Sequence, residues 1–220
     1  MARRPRILVI NPNSNEAVTE GLREAVRPLC FADGPEILCE TLKQGPLGIE
    51  SQEHIESVTL PLRRRIESAG DVDAFIIACY SDPGLFVARE GTDRPVFGIA
   101  ESGVLTALTR ADRFGVIAIK SRSIPRHIRY LRQMGLMDRL AGERPLEMSV
   151  AETASGENTL ARMIAIGREL KEIDGAGAIV MGCAGMARHR KPLEQALGIP
   201  VIDPTQAAVT MALGVVCVGA

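Results

Sequence analysis

Two cysteines, Cys79 and Cys183, sit in matched settings about half a chain apart. Each directly follows an apolar run and opens a turn of small residues: Phe75-Ile-Ile-Ala-Cys79-Tyr-Ser-Asp-Pro-Gly84 and Ala178-Ile-Val-Met-Gly-Cys183-Ala-Gly-Met186. A thiolate is a competent base toward carbon, but an ordinary thiol is only a few per cent ionised at neutral pH. A helix N-terminus raises that fraction through its unpaired N–H groups and positive dipole end. Cys79 lies three residues before Asp82-Pro83, and Cys183 opens an apparent helix over Met186 to Leu197, so both are placed to benefit. One thiol on either side of a bound molecule would make a two-base proton shuttle.

The rest of the chain must hold these turns face to face. Short apolar runs are expected as strands over Arg6 to Ile10, Glu36 to Thr41, Ala74 to Ala78, Val96 to Ile99, Phe114 to Ile119, Leu146 to Val150, Ala178 to Met181 and Val201 to Ile202. Several are apolar on both faces, as parallel strands covered by helices are, and longer helix-period segments alternate with them. The class is α/β. Asn13 followed by Glu16 reads as a capping box for a helix over Glu16 to Arg27, and Asp82-Pro83 and Asp203-Pro204 each read as an N-cap with proline at the first helical position. Further helices are expected over Ser102 to Arg110, Ile124 to Met134 and Asn158 to Glu172.

The two halves read as rough copies of one plan. Strand Arg6 to Ile10 leads into Asn11-Pro-Asn-Ser-Asn15, and strand Phe114 to Ile119 leads into Lys120-Ser-Arg-Ser123; a later strand in each half leads into a cysteine turn. All four loops follow strand carboxyl ends, where open α/β sheets bind ligands, so two facing lobes would bring them to one cleft. The expected lobes are residues 1–100 with 205–220, and 101–204.

Composition narrows the function. The 26 basic and 27 acidic residues are interspersed and only 3% of residues are aromatic, with no Trp, which argues against a nucleic-acid surface. No stretch reaches the length of a membrane span, and no secretory signal is read at the start, so a cytoplasmic protein is expected. Five cysteines without a CxxC pair, and three histidines, suggest free thiols rather than a disulfide framework or a zinc site. Cys30, Cys39 and Cys217 lack the strand-end setting and read as bystanders. His54, His127 and His189 read as exposed helical positions, and Asp82 chiefly as a cap. A small-molecule substrate is the expected partner.

Several short motifs carry a resemblance. Asn11-Pro-Asn-Ser14, Cys79-Tyr-Ser-Asp-Pro-Gly-Leu85 with Ala88-Arg-Glu90, Arg122-Ser-Ile-Pro125 and Gly182-Cys-Ala-Gly-Met186 resemble the aspartate/glutamate/hydantoin racemase superfamily, within it the hydantoin and allantoin branch. The likeness spans nearly the whole chain. It implies two Rossmann-like lobes with parallel four-stranded sheets related by a pseudo-two-fold axis, and a cleft site. It also implies a 1,1-proton transfer without metal or other cofactor, in which Cys79 and Cys183 serve opposite faces of the stereocentre. A symmetric assembly of copies is compatible with it.

Substrate contacts are then expected from Asn11, Asn13, Ser14, Tyr80, Ser81, Ser121, Arg122, Ser123, Ala184 and Gly185, with Arg122 addressing an oxygen-rich ligand and backbone N–H groups at Ala184-Gly185 or in the loop after Asn11 addressing an oxyanion. The segment Gly45-Pro-Leu-Gly-Ile-Glu50 matches a loop that edges the pocket in such proteins. Glutamate racemases follow their cysteines with Asn-Thr and Thr-His, which hold the amino-acid ends. Here Tyr80-Ser81 and Ala184-Gly185 stand instead, which favours a neutral ring or ureido substrate. Aspartate/glutamate racemase, maleate-type isomerase and arylmalonate decarboxylase chemistries lie in the same superfamily, and a non-catalytic two-lobed binding protein is the reading outside it.

Overall fold

A computed structural model describes residues 3–155 and 158–219; residues 1, 2, 156, 157 and 220, within the lobe boundaries expected above, lie outside the described residues. In chain order the elements are β1 (Arg6–Asn11), α1 (Glu16–Val26), β2 (Glu36–Thr41), α2 (Gln52–Glu67), β3 (Ala74–Ile77), α3 (Leu85–Glu90), β4 (Val96–Gly98), α4 (Ile99–Leu108), β5 (Phe114–Ala118), α5 (Ile124–Gln133), β6 (Leu140–Pro145), α6 (Val150–Ser155), α7 (Thr159–Glu172), β7 (Ala178–Met181), α8 (Arg190–Leu197), β8 (Val201–Ile202) and α9 (Pro204–Val218).

The strands build two parallel four-stranded sheets, ordered β2-β1-β3-β4 and β6-β5-β7-β8. The second order repeats the first, strand for strand, as a pseudo-two-fold architecture requires. In β1, Ile7 and Val9 join one core cluster while Leu8 and Ile10 join another. Likewise in β7, Ile179 and Met181 part from Ala178 and Val180. Period-two alternation with both faces apolar is what buries each sheet between helices. The cluster that takes Ile7 and Val9 also takes Ile117, Ile119, Ile179 and Met181, so one core runs across both sheets. Helix α9 packs on α4, α1 and strands β1, β3 and β4.

Helices form where apolar spacing and caps agree. In α1 the buried Val18, Leu22 and Val26 fall four residues apart, and in α2 Val58, Leu62 and Ile66 do the same. Ser51 Oγ accepts the His54 N–H at 3.1 Å to start α2. Asp203 Oδ1 accepts the Thr205 and Gln206 N–H groups at 2.8 and 3.1 Å, with Pro204 at the first helical position of α9.

Several elements differ from the sequence expectation. The sixth strand is Leu140–Pro145 and not Leu146 to Val150. It is a part-buried edge strand whose Glu143 turns inward and whose Arg144 pairs with Asp174 and Glu169, and it lacks the apolar run of a central strand. Asn15, not Asn13, caps α1, accepting the Ala17 N–H at 3.1 Å. Asp82-Pro83 does not open a helix: Asp82 has φ 41°, Gly84 φ 67°, and α3 starts at Leu85. Asp82 instead caps α4, accepting the Ala100 and Glu101 N–H groups at 2.9 Å each, which starts that helix at Ile99, ahead of Ser102. Gly98 makes this possible, since a Cβ there would stand 2.2 Å from the Asp82 carboxyl carbon. A 3-10 turn over Ala184–His189 precedes α8, where one continuous helix over Met186 to Leu197 was expected.

Candidate active site

Four strand ends meet in one cavity. Asn13 follows β1, Cys79 follows β3, Ser123 follows β5 and Cys183 follows β7, and all four line the same cleft, whose space is about 420 Å³ counted to its open mouth. Its remaining walls are Tyr80, Ser81, Arg126 and His127 on one side and Gly182, Ala184 and Gly185 on the other, with apolar Val18, Ile49, Ile119 and Val150 between. Ile49 belongs to the segment expected to edge the pocket.

Backbone packing seats Cys183. A Cβ on Gly182 would approach the Ile117 carbonyl oxygen to 2.5 Å, so glycine lets β7 close on β5 before the chain turns. The Cys183 thiol is buried, and its sulfur accepts the Gly185 N–H at 3.4 Å, with Thr153 Oγ1 3.8 Å away. Burial raises the Cys183 pKa, while the Gly185 amide and Thr153 act against that rise. Burial likewise pushes the half-buried Cys79 thiol up to about 12. The Ser81 backbone N–H favours its thiolate, as does Arg126, whereas charge on Cys183 or Asp82 disfavours it. With both thiols favoured in their protonated form, thiolate is scarce in the resting cleft.

Asn11 and Asn13 build the first loop. Asn11 is fully buried, and its Nδ2 donates to Asn13 Oδ1 at 3.0 Å, Asn15 O at 3.1 Å and Thr19 Oγ1 at 3.0 Å. Asn11 therefore supports Asn13 from behind the cavity wall. Ser14 is not part of the cavity lining, and its backbone N–H donates to Pro46 O at 2.9 Å.

The loop after β5 departs further from expectation. Ser121 is exposed and its N–H donates to Glu147 Oε1 at 3.1 Å. Arg122 is 55% exposed and pairs with Glu50 at 2.9 Å rather than facing the cavity. Glu50 also binds Lys120 Nζ at 2.7 Å and the Val150 N–H at 3.1 Å. Burial opposes the Glu50 charge, but Lys120, the Val150 amide and Arg122 outweigh it and hold the carboxyl below its usual range.

The cation that does line the cavity is Arg126. One nitrogen of its guanidinium donates to Arg122 O at 3.1 Å, while its Nε is buried without a partner among the described residues. Its neighbour His127 is buried, not exposed, with Nδ1 2.5 Å from Glu143 Oε1. The signal for His127 was present in the sequence: it lies four residues from Leu131, on the stripe α5 turns inward. Among the described residues no group of three or more His, Cys, Asp or Glu side chains is placed to hold a metal ion. Nor is any helix of theirs long and apolar enough to cross a membrane.

Two sheets of repeated order, each delivering a thiol to a shared cleft, define a two-lobed α/β enzyme of the racemase type. The chain belongs to the Asp/Glu/Hydantoin racemase family, whose pattern matches residues 7–212, and falls in its hydantoin/allantoin branch. It is 37% identical over 219 residues to hydantoin racemase of Paenarthrobacter aurescens, covering 97% of this chain and 92% of that protein. To hydantoin racemase of Pseudomonas sp. (strain NS671) it is 38% identical over 218 residues, covering 97% and 87%. The solved structure of allantoin racemase from Klebsiella pneumoniae superposes with a TM-score of 0.91 at 35% identity, covering 98% of this chain and 89% of that one.

Proposed function

We propose that this protein racemises 5-substituted hydantoins or allantoin by a two-base 1,1-proton transfer. The observation that carries the reading is the pair of thiols, Cys79 and Cys183, lining one cavity from equivalent strand ends of two like-ordered sheets. In such rings the C5–H lies beside a carbonyl, so the electron pair left on carbon delocalises onto oxygen and no external electron sink is needed. One cysteine, as thiolate, takes the proton from one face; the other, as thiol, returns a proton to the opposite face. Two thiols of raised pKa suit both halves of that task, because each must serve as acid in one direction and base in the other.

Residues around the thiols support a ring in preference to a free amino acid. Tyr80 is buried and the Ala184-Gly185 turn offers only backbone, so among the described residues Arg126 is the one arginine or lysine of the wall. One cation addresses carbonyl oxygens well, but it leaves an amino acid's ammonium without a counter-charge. The Gly185 N–H is already directed at Cys183 sulfur, which favours that thiolate and removes this amide from the expected oxyanion role.

Incubation in heavy water with single enantiomers of a 5-substituted hydantoin, allantoin, aspartate and glutamate tests the reading, with circular dichroism following chirality and NMR the C–H signal. Loss of optical activity with deuterium entering at C5 is expected for the cyclic ureides. Cys79→Ser and Cys183→Ser should each abolish racemisation. Near wild-type rates in both variants would sink the two-thiol mechanism.

A further inference from the structure

Helix α5 turns His127 into the cleft, where it is held on both sides of its ring. Nδ1 lies 2.5 Å from Glu143 Oε1 on the edge strand β6, and the two side chains are only 7% and 1% exposed. Across the ring, Nε2 lies 3.5 Å from Ser81 Oγ, two residues beyond Cys79. Tyr80 meets the imidazole edge-on, with 5.1 Å between centroids and 84° between planes, which fixes the ring's tilt. Ser81 and His127 both line the cavity that holds the thiols.

A carboxylate, an imidazole and a hydroxyl in line is an arrangement that orients the hydroxyl. Either sense of the Nε2–Ser81 Oγ contact fixes the torsion of the hydroxyl, and a hydrogen on Nε2 leaves the serine's own hydrogen free to meet a ligand in the cleft. Glu143 Oε2 is buried with no partner among the described residues, so the histidine is this carboxyl's hydrogen-bonding anchor.

We propose that the Ser81 hydroxyl donates a hydrogen bond to the substrate carbonyl oxygen that gains charge during proton removal, and that His127, fixed by Glu143, is the positioning residue that aims it. The inference rests on the racemase reading above and assigns its oxyanion donor. The proton leaving carbon goes to one cysteine thiolate, and the electron pair of that C–H bond moves onto the carbonyl oxygen. The Ser81 O–H bond stays intact while its hydrogen bond to that oxygen strengthens. When the other thiol protonates the carbon, the pair returns, and Ser81, His127 and Glu143 end the turnover in the protonation state in which they began.

The test is steady-state racemisation and C5 exchange of a 5-substituted hydantoin by wild type, Ser81→Ala, His127→Gln, Glu143→Gln and the Ser81→Ala/His127→Gln double variant, with thermal melts of each. Loss of an oxyanion donor should lower kcat by about 100-fold in Ser81→Ala. His127→Gln should lower kcat by roughly tenfold or more with KM changed less than about threefold, since the interaction is made chiefly in the transition state. The double variant should be no slower than Ser81→Ala, because His127 then has nothing to aim. Wild-type kcat in folded His127→Gln, or losses that multiply in the double variant, overturns the proposal. Should His127→Gln fail to fold, Glu143→Gln carries the test: a lowered kcat at unchanged KM supports it and an unchanged kcat overturns it. A wild type that exchanges no C5 proton removes the racemase reading and this inference together, whereas an active wild type with an indifferent His127→Gln removes the inference alone.

Discussion

Glu50 accepts a hydrogen bond from Lys120 Nζ at 2.7 Å, joining the loop that precedes α2 to the loop that follows β5. The first loop belongs to the connections of one sheet and the second to those of the other, so this contact latches the two next to Ile49 and Ile119, which line the cavity. The Lys120 and Glu50 side chains are 27% and 15% exposed, and Arg122 and the Val150 amide add to the same carboxylate. Glu50→Gln keeps the volume and removes the charge. Loss of one partner from a part-buried pair should cost about 1–3 kcal/mol in urea unfolding, short of the larger penalty of a fully buried pair. The loosened latch should also raise KM more than it lowers kcat.

Gly182 makes a second, purely steric prediction. The Ile117 carbonyl would stand 2.5 Å from a new Cβ, and backbone on a central strand has little room to retreat. Gly182→Ala should displace Cys183 and lower kcat by roughly tenfold or more, because small misplacements of a reacting group are costly. A melt lowered by several degrees should accompany it, and Gly21→Ala, where nothing lies within 4 Å, is the control.

Asp203 offers a test confined to stability. One of its oxygens serves two N–H groups at the start of α9. Asp203→Ala should cost about 1–2 kcal/mol, and Asp203→Ser, which retains an acceptor, only a fraction of that. Chemical denaturation of both variants distinguishes capping from burial of the side chain.

What could be read from sequence follows how local its cause is. β1, β3, β5 and β7 were legible to within a residue because each is a run of apolar residues buried on both faces, and the thiols were legible because they end two of those runs. β6 was not, since an edge strand with Gly142, Glu143 and Arg144 has no such run and Leu146 to Val150 imitates one. Asp82 misled for a different reason: an aspartate before proline is a local helix signal, yet its carboxylate caps α4, 18 residues away. Arg122 and Arg126 show the same limit in the site. Both lie near one helix start, and only the position of Glu50, more than 70 residues back, decides which of them is left to face the cavity.

The thiols set the expected pH dependence. Burial raises Cys79 to about 12 and lifts Cys183 as well, so at neutral pH the resting protein carries two thiols. The proposed two-base turnover needs one thiolate and one thiol. Each pH unit gained below the lower of the two pKa values therefore multiplies the singly ionised form by ten. The logarithm of kcat/KM, corrected for the protein-free rate, should thus rise with a slope near one from pH 6 to 8, where an unperturbed thiol would begin to level above about pH 8. Arg126 favours the Cys79 thiolate, so Arg126→Gln should lower the whole line at fixed pH while keeping its slope. Initial rates from both enantiomers, followed by circular dichroism, supply the measurement. A profile flat across pH 6 to 8 would mean that a thiolate already stands in the cleft at neutrality, and that burial does not govern these two sulfurs.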